Sequence, residues 1–138
     1  MTTPTQEQME KLKHATGWGR CLTQIGLEPG WRDHFFGRDA DCDDMCDEGW
    51  MFCYSTNAYR VTKSGLALVL AEWATVTKFD VLTVIDTEDR PREEHTTRVV
   101  AKTHAAARFK IARSIQDAWS CDFVEAVRHI KSVRKVRP

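Results

Sequence analysis

Six carboxylates crowd into ten residues of this chain, Asp39, Asp41, Asp43, Asp44, Asp47 and Glu48, with no Lys, Arg or His among them. Carboxylates this close raise one another's pKa and repel along a helix unless cations relieve them. The cluster therefore predicts a face that docks on a basic protein surface, with a solvated acidic face as the plainer alternative. A helix dipole excuses acids in the first turn, but Asp47 and Glu48 fall at the wrong end for that. The candidate protein-binding residues are Asp41, Asp43, Asp44, Asp47 and Glu48. The same region holds the ligand types of a tetrahedral zinc site in His34, Cys42, Cys46 and Cys53, with Cys42 and Cys46 four apart on one helix face. No Cys-x-x-Cys accompanies them, and the small, weakly polar Cys is a common core filler in reduced proteins, so the expectation is core thiols and no metal. A calcium site fares worse, because the ligand order and the internal Gly of a calcium loop are missing. No cofactor is expected.

Cations gather at the other end. Arg128, Lys131, Arg134, Lys135 and Arg137 could touch a nucleic-acid backbone, although solubility is the commonest reason for such a tail. Catalytic signatures are absent: there is no Gly-x-Ser-x-Gly, phosphate loop, dinucleotide fingerprint or His-Glu-x-x-His. The pairings of His104 with Cys121 and of His95 with Glu94 are coincidences of sequence, and the chain reads as no enzyme.

With 138 residues, 42% hydrophobic and 29% charged, the composition is that of an ordinary globular protein. No run approaches the ~20 apolar residues of a membrane span. The start, MTTPTQEQMEKLKH, lacks an apolar signal core, so the expected location is the cytoplasm, with thiols reduced. Five cysteines without framework spacing agree with that. Net charge is zero, but the residues up to Ala74 carry 7 basic and 11 acidic side chains and the rest 13 and 9. Two surfaces of opposite sign follow.

The elements that must position these groups are centred on YRVTKSGLALVLAEW, Tyr59 to Trp73. A strand end alternates through Tyr59 and Val61, then Leu66, Val69, Leu70 and Trp73 recur at helical spacing. This helix, capped by Thr62 or Ser64, is expected to be buried on most sides. Ahead of it, Gln6 to Ala15 reads as a helix capped by Thr5 with Gln8 completing a capping box. Glycines at 17, 19, 26 and 30 break the next segment, in which Cys21 to Ile25 could make one turn and Trp31, Phe35 and Phe36 dock as buried anchors. His34 between them reads as a hydrogen-bonded core histidine. Asp39 or Asp41 caps a short helix that Gly49 ends, Trp50 to Tyr54 is a strand, and Ser55 to Asn57 turns it back. Helix, loop, short helix, hairpin, helix is a winged-helix order.

EKLKHATGW, WRDHFFG, DEGWMFC and YRVTKSGLAL together resemble a family of small uncharacterised proteins of tailed phages and prophages. Their pattern is an aromatic-Arg-Asn-His-Phe motif, a helix ending in a Gly-apolar-Met step, and a Phe/Tyr-Arg-Val-Thr-x-x-Gly element. The resemblance covers residues 10 to 70 and departs at Asp33, where the family usually has Asn. The ending VRKVR is also similar to the carboxyl ends of those proteins. The resemblance implies a winged-helix-like fold and a viral origin, and it implies no activity.

Beyond a polar break at Ala74 to Lys78, Phe79 to Ile85 is a β-branched strand, Asp86 to Glu94 a solvated turn, and Thr96 to Lys102 a second strand. Thr103 caps a helix carrying Ala107, Ile111, Ile115 and Ala118. Asp122 caps another, Phe123 to Ile130, with Phe123, Val127 and Ile130 inward, and Val133 to Val136 forms a last strand. The expected fold is thus α+β: a winged-helix-like region over 1–74, then a strand-strand-helix-helix-strand unit over 75–138, either a separate subdomain or an extension of one core. The expected function is protein binding by a phage accessory protein. By analogy, inhibition of a host defence complex such as a CRISPR effector suits it. The alternative is a DNA-binding phage regulator using the basic carboxyl half.

Overall fold

The computed structural model describes residues 2–137. The chain forms two compact units, the first comprising residues up to Cys21 and Gly26–Thr75, the second Leu22–Ile25 and Val76 onward. Each mixes helices with one three-stranded antiparallel sheet.

In the first unit, helix α1 (Gln6–Thr16) begins with the full capping box: the Thr5 hydroxyl accepts from the Gln8 N–H, and the Gln8 side chain accepts from the Thr5 N–H. It ends at Gly17, whose φ of 78° suits glycine, and the Trp31 indole donates to the Gly17 carbonyl at 2.8 Å. A single turn, α2 (Trp18–Cys21), follows immediately, earlier in the chain than the expected Cys21–Ile25. Strand β1 (His34–Phe36) occupies what the sequence presents as an irregular aromatic loop. Trp31 and Phe36 are not buried anchors: they are 41% and 72% exposed. Alternation explains the error, because in a strand only Phe35 of the HFF triplet points inward, where it packs on the core.

Helix α3 (Ala40–Asp47) is capped by Asp39, and the hairpin of β2 (Met51–Ser55) and β3 (Ala58–Val61) follows. Strand β3 is central, with β1 and β2 on its two sides. Helix α4 (Lys63–Trp73) starts from a Thr62 cap. Its buried positions are Gly65, Val69 and Trp73, every fourth residue, while Leu66 and Leu70 are half-buried and Ala67 and Ala71 exposed. The expectation of burial on most sides is thereby corrected. One row of the helix meets the core formed by Leu12, Cys42, Met45, Met51, Tyr59 and Val69, and Leu70 lies outside it. Gly65 lets that row approach closely, since a Cβ there would stand 2.2 Å from the Trp50 carbonyl oxygen.

In the second unit, β4 (Lys78–Thr87) is flanked by β5 (Arg90–Val100) and β6 (Ile130–Lys135). The expected solvated turn at Asp86 to Glu94 is mostly strand, its hairpin tip confined to residues 88–89 with a bulge between Ile85 and Thr87. Pro91 is tolerated because β5 is an edge strand. Helices α5 (His104–Trp119) and α6 (Phe123–Arg128) take their caps from Thr103 and Asp122. Phe79, Val81, Ala107, Ile111, Ala126 and Ile130 form the core of this unit. Phe123 is 39% exposed instead of inward, Ala126 being the buried residue of α6, and Ala118 of α5 reaches solvent; α6 ends at Arg128, and Ile130 already belongs to β6.

Candidate functional site

The acids of α3 divide into two sets. Asp39 accepts from the Cys42 N–H at 3.0 Å as the cap, a role whose loss typically costs ~1 kcal/mol. Lys11 of α1 places its ammonium 2.7 Å from Asp39 and 2.6 Å from Asp41. The hydrogen bonds that Lys11 donates to Asp39 and then to Asp41 raise its pKa above the ordinary value. Burial pushes the Asp39 carboxyl up, but the Lys11 ammonium and the Cys42 amide outweigh it and hold it below the usual range. Asp43 accepts from the Tyr59 hydroxyl at 2.6 Å and pairs with Arg38 at 3.3 Å. Burial, then the bond to Asp43, raises the Tyr59 pKa. These three acids therefore serve the fold, using cations 5 to 30 positions away in sequence.

Asp44, Asp47 and Glu48 form the second set, and all three are exposed. Glu48 accepts from the Thr2 hydroxyl. Among the described residues, Asp44 and Asp47 enter no ion pair, and the last turn of α3 holds no basic residue. Asp44 lies three and four positions before Asp47 and Glu48, the spacing at which like charges on a helix repel.

The zinc candidates are not gathered. Cys42 is fully buried and Cys46 half-buried on α3, Cys53 is exposed on β2 and donates to the Ser55 carbonyl at 2.8 Å, and His34 is paired with Asp33 at 2.6 Å on β1. Among the described residues no three His, Cys, Asp or Glu side chains could hold a metal ion together. Burial pushes the Cys42 thiol up to about 12 and raises Cys46 as well, so both stay protonated. His34 is also no core histidine, its side chain being 33% exposed. Of the paired groups weighed in the second unit, His95 meets Glu93 at 3.2 Å, while Glu94 is taken by Arg92.

Arg128, Lys131, Arg134, Lys135 and Arg137 are all exposed at the end of α6 and along β6. Arg134 stands opposite Asp80 in the sheet register, and Asp80 is already held by Arg98 at 3.1 Å from the other side.

One surface escaped the sequence reading. His34 of β1 and Phe52 of β2 both stand opposite Arg60 of β3, so His34, Phe36, Arg60, Phe52 and Tyr54 share the outer face of the first sheet. Phe52 and Tyr54 are 44% and 46% exposed. The His34 ring stacks on Phe36 at 5.9 Å and meets Tyr54 edge-on at 5.7 Å, and Phe52 lies 6.4 Å from Tyr54. The available signal was alternation in β2, where Phe52 and Tyr54 stand two apart in the longer strand.

No helix among the described residues is long and apolar enough to cross a membrane. Compared with known proteins, the chain matches no protein-family model, no curated protein and no solved structure.

Proposed function

We propose that the protein is a non-enzymatic phage accessory protein that acts in the host cytoplasm by binding a host protein with a basic surface, with host-defence complexes such as a CRISPR effector as the target class. In this reading the first unit is winged-helix-like. Its element order supports that, as does the position of β1 across β3 from the β2–β3 hairpin. In a winged helix that reads DNA, the helix ahead of the hairpin enters the major groove, and an acidic α3 would repel the phosphates there.

The observation that carries the proposal is the outward set at the end of α3, Asp44, Asp47 and Glu48, exposed and, among the described residues, in no ion pair. Replacing them together with Asn, Asn and Gln leaves Lys11, Arg38 and their partners in place, so the fold should hold or gain slightly. A host protein retained by the wild type at low salt should be lost by this variant. Retention with unchanged affinity and salt dependence would place the contact elsewhere. The second reading, a DNA-binding regulator using the basic carboxyl half, draws on the exposure of all five cations between Arg128 and Arg137. Weak, sequence-indifferent duplex binding that fades toward physiological salt is expected; tight operator-like binding there would favour the regulator.

A further inference from the structure

The first sheet has two unlike faces. Its inner face gives Phe35, Met51, Tyr59 and Val61 to the core with α1, α3 and α4. Its outer face carries the four rings of His34, Phe36, Phe52 and Tyr54, the guanidinium of Arg60, and the small Ala58 and Ser55. Rings left this exposed mark an interaction surface. The geometry points to a binding platform for single-stranded nucleic acid, in which unpaired bases stack on these rings and Arg60 meets the phosphate backbone.

Three features carry this assignment. First, stacking needs accessible π-faces in series, and the rings stand in neighbouring pairs 5.7 to 6.4 Å apart, so successive splayed bases can each find one. A duplex hides its base faces and gains nothing here, which makes the platform selective for single strands. Second, the cations suit a polyanion. Arg60 is 48% exposed, lies 5.8 Å from the Tyr54 ring centroid and bonds Asp33 at 3.3 Å through Nε, leaving its terminal N–H groups for a phosphate. Arg32 and Arg38 bracket β1 at its two ends. Third, α3 packs on the inner face, and the carboxylates that meet the platform's cations are Asp33 on Arg60 and Asp43 on Arg38.

Fluorescence anisotropy of labelled 12-nucleotide oligo(dT) and oligo(U), against a duplex of the same length, tests this with the full chain. Binding of either single strand more tightly than the duplex is expected, and the tighter of the two names DNA or RNA as the source. Phe52→Ala with Tyr54→Ala should weaken single-strand binding by roughly 10-fold or more while leaving the salt slope and the duplex affinity unchanged. Arg60→Ala should instead flatten the salt slope. Circular dichroism checks the fold, and Phe36→Ala, at the most exposed ring, serves if the double variant fails to fold. Equal affinity for single strand and duplex, or ring variants that bind like the wild type, would overturn the assignment and leave the cations of residues 128–137 to account for any binding. So would a protein partner lost by the ring variants in the absence of oligonucleotide binding.

Discussion

Replacing Gly65 with alanine adds a methyl where α4 has no room for one. The new Cβ would stand 2.2 Å from the Trp50 carbonyl oxygen and 3.0 Å from both the Trp50 carbonyl carbon and Val61 Cγ1. The oxygen cannot simply turn away, because it accepts from the Thr62 N–H at 3.0 Å, at the cap of the same helix. Ordinary contact begins near 3.4 Å, so helix and hairpin must separate by about 1.2 Å at their closest point. Overpacking of this kind costs ~1–3 kcal/mol, and the better helix propensity of Ala returns at most ~1 kcal/mol. The net expectation is a loss of about 1–2 kcal/mol. Urea unfolding followed by tryptophan emission suits the measurement, since Trp18, Trp31, Trp50 and Trp73 lie in the first unit and only Trp119 in the second. Gly19→Ala is the matched control: it is also helical, nothing lies within 4 Å of its Cβ position, and it should be neutral or stabilising by up to ~1 kcal/mol. A Gly65→Ala midpoint at or above the wild type, with unchanged slope, would refute the close approach.

Two further outcomes follow from the same unit. Val69→Ala, at a fully buried position, should cost about 2 kcal/mol, and Leu70→Ala should cost less despite removing more atoms, as denaturant melts of the pair will report. Asp39 has a folded pKa below its unfolded one, so its contribution is fully present above the unfolded value near ~4 and is lost as pH falls through the folded value. Asp39→Asn keeps a capping side chain but not the pairing with Lys11, so stability measured from pH 7 downward should fall less steeply in the variant; an unchanged acid limb would separate the ion pair from stability.

Local chemistry was readable and long-range pairing was not. The caps at Thr5, Thr103 and Asp122 follow from side-chain oxygens ahead of a helical period, and the structure places them where the sequence does; of Thr62 and Ser64, both open to the same reading, it is Thr62 that caps. Strand β1 was hidden because three residues hold too little alternation to tell a strand from aromatic anchors. The β4–β5 hairpin was cut short because charge and Pro91 mimic a loop when an edge strand can carry both. At the acidic helix the six charges were plain, but their relief was not: Lys11 arrives from α1, 28 positions before Asp39, and no window on α3 contains it. The aromatic platform is the same problem in reverse, since its rings come from two strands that only the pairing with β3 sets side by side.

The placement of β6 at the margin of the second sheet has a bearing on how copies of the chain meet. An outer strand with its backbone N–H and C=O groups unspent is a template on which another chain can add a strand. Lys131, Arg134 and Lys135 stand along this margin, and Arg90, Pro91 and Arg92 begin the opposite one on β5. Two copies brought together along β6 would face cation against cation, and on β5 the proline offers no N–H to zip. The exposed cations of β6 thus discourage self-templating. Stripping them to Ser would then be felt first as turbidity in a concentrated sample, before any change in the melting of a dilute one.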